Sequence, residues 1–164
     1  HSREKTISLK DELETLLLYI DLEKLRFRDG FEFTCKVDER MDTIQLQIPP
    51  MILQPYVENA IWHGLLHKES DRLLALRISY TEMGVLCEVE DNGIGRTQAA
   101  MIKSKSATRY KSMGMGITQD RITLMNSMNA LGIAVDIIDK INAEGEAAGT
   151  LVKIYIPNAS YTDR

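Results

Sequence analysis

Between Ser8 and Phe27 apolar residues recur at helical spacing, at Leu9, Leu13, Leu16, Leu17 and Ile20, which predicts a long helix ending near Asp29-Gly30. Ser8 and Asp11 are placed for a capping box at its start. Residues 31–37 and 43–48 alternate around a polar break at 38–42 and predict two short strands, stopped by Pro49-Pro50. Residues 51–66 put Leu53, Tyr56, Val57, Ala60 and Gly64 on one stripe, the mark of a buried helix with a polar flank. Segments 72–80 and 85–91 alternate as an antiparallel pair joined near Glu82-Met83-Gly84. Residues 96–113 read as only partly helical, and a helix follows from about Gly116 to Leu131, ended by Gly132. Segments 134–141 and 150–157 form a last strand pair, and 159–164 is a tail. This order predicts an α/β fold, a two-layer sandwich with three helices on one face of a mixed, mostly antiparallel sheet.

Composition narrows the class. A chain of 164 residues, 44% apolar and 27% charged, fits one domain with a real core. Its longest apolar run, Leu16 to Ile20, is far below the roughly 20 residues of a membrane-spanning helix. Cys35 and Cys87 lack metal-ligand spacing and read as reduced core thiols of an intracellular protein. No signal or transit segment is present and the first residue is His1, so the chain is expected to be cut from something longer. A net charge of −4 argues against nucleic acid as a partner. The charge is uneven, however: residues 96–119 hold Arg96, Lys103, Lys105, Arg109 and Lys111 and no acid. Such an island suits one compact anion.

Four places could carry chemistry. Asp91-Asn92-Gly93-Ile94-Gly95 sets a carboxylate at a strand end, where it can accept from an exocyclic amine, followed by glycines that let a flat ring approach the backbone; the same residues also make an ordinary turn. Ser112-Met113-Gly114-Met115-Gly116 precedes a helix and would offer N–H groups and the positive dipole end to phosphate, or serve as a hinge. Asn59 and His63, one turn apart, share an edge of the 51–66 stripe, where Asn59 could give an oxygen to Mg²⁺ and His63 could equally hydrogen-bond locally. Gly149-Thr150 opens the last strand with a hydroxyl that could support Asp91. The order of the four carries more weight than any one.

Taken together these motifs resemble the GHKL (Bergerat) ATP-binding fold, and more closely the catalytic domain of LytS/YehU-type sensor histidine kinases. Residues 9–27 are similar to that family's linker helix, IPPMILQPYVENAIWHG (48–64) to its N-box, DNGIG (91–95) to its first glycine box, and SMGMGITQDRITLMN (112–126) to its second. The resemblance implies a linker helix within 1–30, an ATP-binding domain over 31–158 and the tail. It implies that Asp91 bonds the adenine amine with Thr150 in support, that Gly93 and Gly95 shape the base pocket, and that Asn59 coordinates Mg²⁺ beside His63. Gly114 and Gly116 would meet the triphosphate under a lid of residues 96–113, with Arg109 and Lys111 supplying counter-charge. The implied activity is transfer of the ATP γ-phosphoryl to a histidine on a dimerisation helix. The implied partners are that helix in a homodimer and a cognate response regulator, for which the LytTR type is one candidate. The implied location is the cytoplasmic side of a bacterial sensor anchored by upstream segments.

Departures from the family pattern keep alternatives in view. The place of a water-activating Glu, four residues before Asn59, holds Pro55, which disfavours hydrolysis. A cationic place three residues after Asn59 holds Trp62, and the family's acceptor motif, a His-Phe-type segment before the linker helix, is absent from this sequence. An ATPase or serine kinase of the same fold, or a nucleotide-binding module without kinase activity, are the other readings.

Overall fold

The computed structural model describes residues 6–82, 84–103 and 132–157. Helix α1 (Leu9–Lys24) begins where the pattern places it: the Ser8 hydroxyl accepts from the Asp11 amide at 3.1 Å, and Asp11 and Glu12 face the positive end of the dipole. It ends earlier than its periodicity suggests. Amides of Leu25, Arg26 and Phe27 reach back only three residues, tightening the chain before Gly30 (φ 66°) turns it into β2 (Glu32–Val37).

The expected strand over 43–48 is corrected. Only β3 (Gln47–Ile48) is extended, and it pairs with β1 (Ile7–Ser8) as a separate two-stranded ladder. The Asp42 carboxylate accepts from the amides of Ile44 and Gln45, each at 3.1 Å, and its carbonyl accepts from Leu46, so the polar turn runs on through residues that alternate in sequence.

The main sheet has the order β2-β4-β5-β7-β6, with β4 (Leu73–Thr81), β5 (Gly84–Asp91), β6 (Ala134–Ile141) and β7 (Ala147–Pro157). Only β2 and β4 run parallel, so the sheet is mixed and mostly antiparallel as predicted. Register sets its inner face. Cys87 lies between Ile78 and Ile154, and Val89 between Leu76 and Val152, all buried against α1 and α2 (Gln54–Asn59) in one core. The outer face carries a polar ladder in which Arg77 pairs with Glu88 and Glu90, and Lys140 reaches Glu90 at 2.7 Å across Gly149.

Helix α3 (Arg96–Lys103) accounts for the helical part of 96–113, while the helix expected over 116–131 and the tail lie outside the described residues. Two further expectations change. Cys87 is a core thiol, pushed up to about 12 by burial, but Cys35 is exposed on the edge strand β2. Gly149-Thr150 lies inside β7, which begins at Ala147, rather than at its start. Among the described residues no helix is long and apolar enough to cross a membrane.

Candidate functional site

Pro55 occupies the first turn of α2, where its fixed φ suits a helix start and its absent N–H costs no hydrogen bond. Beyond Asn59 the helix is not α. Residues Ala60–Leu65 form a π-helical turn, continued by the Leu66 amide bonding the Ile61 carbonyl five residues back at 2.8 Å. The wider turn lets Ala60, Ile61, Gly64 and Leu65 all be buried, a broader contact than an α-helical stripe gives. Asn59 and His63 still share one side, and both line a cavity of about 300 Å³.

Strand β5 delivers Asp91 to the floor of that cavity, where the residue is 4% exposed. Its Oδ1 accepts from the Gly93 amide at 2.8 Å. The π-turn packs against this strand end so closely that side chains would not fit. A Cβ on Gly64 would stand 2.7 Å from Asp91 Oδ1, and a Cβ on Gly93 would stand 2.2 Å from the Gly64 carbonyl carbon. The Ile94 amide donates to the Gly64 carbonyl at 3.2 Å, closing the junction. On the far side Gly149, at φ 118°, lies so near that a Cβ would come 2.0 Å from the Asp91 carbonyl oxygen. Asn92 ties the loop down: its side-chain oxygen accepts from Leu73 N, its amide donates to the Asp71 carbonyl, and its own carbonyl accepts from Lys68 Nζ.

Thr150 is the cross-strand partner of Asp91 and also lines the cavity. Burial dominates the Asp91 environment and pushes its carboxyl up to about 6, against the amides of Gly93 and Thr150 and the charge of Lys140, which pull it down. The walls are apolar, built from Tyr56, Val89, Ala99, Ile137 and Val152. A largely apolar cavity with one anionic acceptor on its floor suits an apolar ligand that bears an amine.

The structure therefore brings together Asn59, His63, Asp91, Gly95 and Thr150, and sets Gly93 behind Asp91 as a close-packing residue. Arg109, Lys111, Gly114 and Gly116 lie outside the described residues. Of the basic island, Arg96 is engaged with Asp139 through two bonds of 2.7 and 2.8 Å, which fixes the start of α3 to β6. Gly64 is the residue whose part in the site sequence reasoning passed over. Its place on the buried stripe was legible, its contact with a strand end was not.

Asn59 Nδ2 donates to the Pro55 carbonyl at 2.7 Å, which leaves the side-chain oxygen as the group it can offer a cation. Among the described residues no group of three His, Cys, Asp or Glu side chains could hold a metal ion. One protein oxygen matches a Mg²⁺ that arrives with a nucleotide and takes its other ligands from phosphate and water.

Solved structures share this architecture. The histidine kinase domain of a blue-light activated histidine kinase from Erythrobacter litoralis EL346 superposes with a TM-score of 0.63 at 16% identity, covering 97% of this chain and 66% of that one. The mycobacterial sensor histidine kinase MprB gives 0.63 at 13% identity, covering 94% and 97%. In sequence, the sensor protein LytS of Oceanobacillus iheyensis is 28% identical over 94% of this chain, and that of Streptococcus agalactiae 26% identical over 95%. The chain is similar in sequence to LytS sensor proteins and has the fold of histidine kinase catalytic domains. No protein-family model matches it. The YwpD protein of Bacillus subtilis is 34% identical over 70% of this chain and 41% of its own length. The chain spans 26% of the length of the two LytS proteins.

Proposed function

We propose that the cavity receives the adenine of ATP and that the chain is the ATP-binding catalytic domain of a two-component sensor histidine kinase. The observation that carries this is the Asp91 carboxylate, buried on the floor of an apolar slot with Gly64 and Gly93 clearing the space around it. The adenine amine would donate to Asp91, with Thr150 beside it. Asn59 would give its oxygen to Mg²⁺, with His63 on the same wall. Mg²⁺ supplies charge neutralisation for the phosphates.

The chemistry is in-line transfer: a histidine nitrogen on a dimerisation helix outside this chain attacks the γ-phosphorus, and ADP leaves. Hydrolysis is disfavoured because Asp91 is the one carboxylate among the described residues that line the cavity, and it stands at the base end. Pro55, in the place a water-activating acid would need, serves instead as helix start and as acceptor for Asn59. Residues 1–30 would supply the linker helix, 31–158 the nucleotide domain and 159–164 a tail. Outside this chain the reading includes a homodimer, a response regulator of the LytTR type, and upstream segments that anchor the protein with this domain on the cytoplasmic side. Arg109 and Lys111, and Gly114 with Gly116, are assigned to the triphosphate.

The test is transfer of label from γ-labelled ATP. The domain alone is expected to remain unlabelled, because its described histidines include no acceptor: His63 is on the cavity wall and His67 follows the π-turn. An added dimerisation segment from a LytS protein is expected to become labelled at histidine. Label on the isolated domain that disappears in His67→Ala would contradict the reading.

A further inference from the structure

Trp62 stands between Asn59 and His63 in sequence, yet its indole engages α1 rather than the cavity. Its Nε1–H donates to Glu23 Oε2 at 3.1 Å. Arg26 lies over the indole at 4.6 Å from the ring centroid and forms an ion pair with Glu23, its Nε standing 3.1 Å from Oε1. Glu23 is only 7% exposed, and it is not the only carboxylate on that face. Glu12, 4% exposed, accepts from the amides of Met51 at 3.1 Å and Leu53 at 3.3 Å, at the entry to α2.

Positions 12 and 23 are about three helical turns apart and so share one face of α1, with Leu13, Leu16 and Ile20 between them. Glu12 meets the start of α2 and Glu23 meets the π-turn, so the two helical segments run side by side in the same direction and are pinned at both ends. Burying two carboxylates is a poor way to gain stability, since apolar side chains of similar volume would serve as well. What the glutamates add is register, because each accepts only from particular N–H groups. Sliding or rotating α1 must break these bonds or carry along the helix that holds Asn59 and His63.

We propose that Glu23, Trp62 and Arg26 form a positioning joint through which the placement of α1 sets the affinity of the nucleotide site, and through which bound nucleotide in turn shifts α1. This rests on the reading of the cavity as a nucleotide site. Trp62 is a positioning residue: it acts through the π-turn, one turn from Asn59, and touches no substrate.

Trp62 is the only tryptophan of the chain, so its emission reports on the joint directly. Saturation with ADP is expected to change that emission although the indole is not part of the cavity wall. By calorimetry, Glu23→Ala and Trp62→Phe are each expected to weaken ADP about fivefold, and the double variant no further, because both remove the same bond. Glu23→Gln, whose amide oxygen still accepts from the indole, is expected to bind within about twofold of the parent protein. Thermal melting checks that Trp62→Phe, which keeps most of the ring packing, remains folded. Variants that melt lower but bind ADP as the parent does, or emission unchanged at saturation, would overturn the joint while leaving the cavity reading intact. A parent domain that binds no ADP would overturn the cavity reading, and the joint with it.

Discussion

Asp91→Asn is expected to lose adenine nucleotide binding and, at pH 8, to make the ligand-free domain more stable relative to its parent than at pH 5. The two effects share one cause. The buried carboxyl titrates near 6 in the folded chain against an ordinary value of 3.8, so folding favours its protonated form. Its favourable contribution is complete below the ordinary value and is lost as pH rises through about 6. The gap corresponds to about 3 kcal/mol of pH-dependent stability between acid and alkaline conditions. Asparagine carries no charge to titrate, so the parent-minus-variant stability should fall by about half of that amount between pH 5 and pH 8, the other half having been lost between pH 3 and pH 5, as read by denaturant titration. Binding moves the opposite way. A carboxylate accepts from the adenine amine, whereas an amide nitrogen in its place confronts one donor with another, a loss of about 1 to 3 kcal/mol, or roughly 5- to 150-fold. A pH-independent stability difference, or equal affinity for ATP in the two proteins, would contradict this account of Asp91.

Gly93→Ala is expected to damage the fold itself. The backbone of Gly93 is not in the left-handed region, so the barrier is steric: the new Cβ would fall 2.2 Å from the Gly64 carbonyl carbon and 2.4 Å from its Cα, backbone that cannot swing aside. The π-turn and the end of β5 must separate. A cost of about 3 kcal/mol is expected, lowering Tm by roughly 6–12 °C for a domain of this size. Gly64→Ala makes a useful contrast, since its Cβ meets the Asp91 side chain at 2.7 Å rather than backbone. A smaller fall in Tm with a marked loss of nucleotide binding is expected there. Melting Gly93→Ala within 2 °C of the parent would show that the junction is looser than its geometry implies.

Local chemistry made much of this legible before any coordinates. The Ser8 cap, the antiparallel pairing of 72–80 with 85–91, and the closing strand pair follow from patterns that tertiary contacts did not override. So does the convergence of Asn59, His63, Asp91 and Thr150, because one buried helix and two neighbouring strand positions leave few ways to pack. Other features depended on partners distant in sequence. Residues 43–46 alternate like a strand, but Asp42 captures their amides. The π-turn has no periodicity of its own, and Gly64 acquires its role only from a strand end that packs against it. Glu12 and Glu23 occupy apolar stripe positions of α1, a local anomaly visible in sequence whose meaning lies with Met51, Leu53 and Trp62. Trp62 reads as a departure when only phosphate is considered, and as half of a helix-to-helix contact once α1 is in place.

The central claim is that Asp91 holds an adenine base, and a crystal structure of the domain with ADP and Mg²⁺ tests it most directly. The account predicts the adenine amino nitrogen within about 3 Å of an Asp91 carboxylate oxygen, the ring between the walls of Val89, Ile137 and Val152, and the phosphates directed toward Asn59. ADP bound with its base outside this slot, or with Asp91 making no contact to the amine, would contradict it.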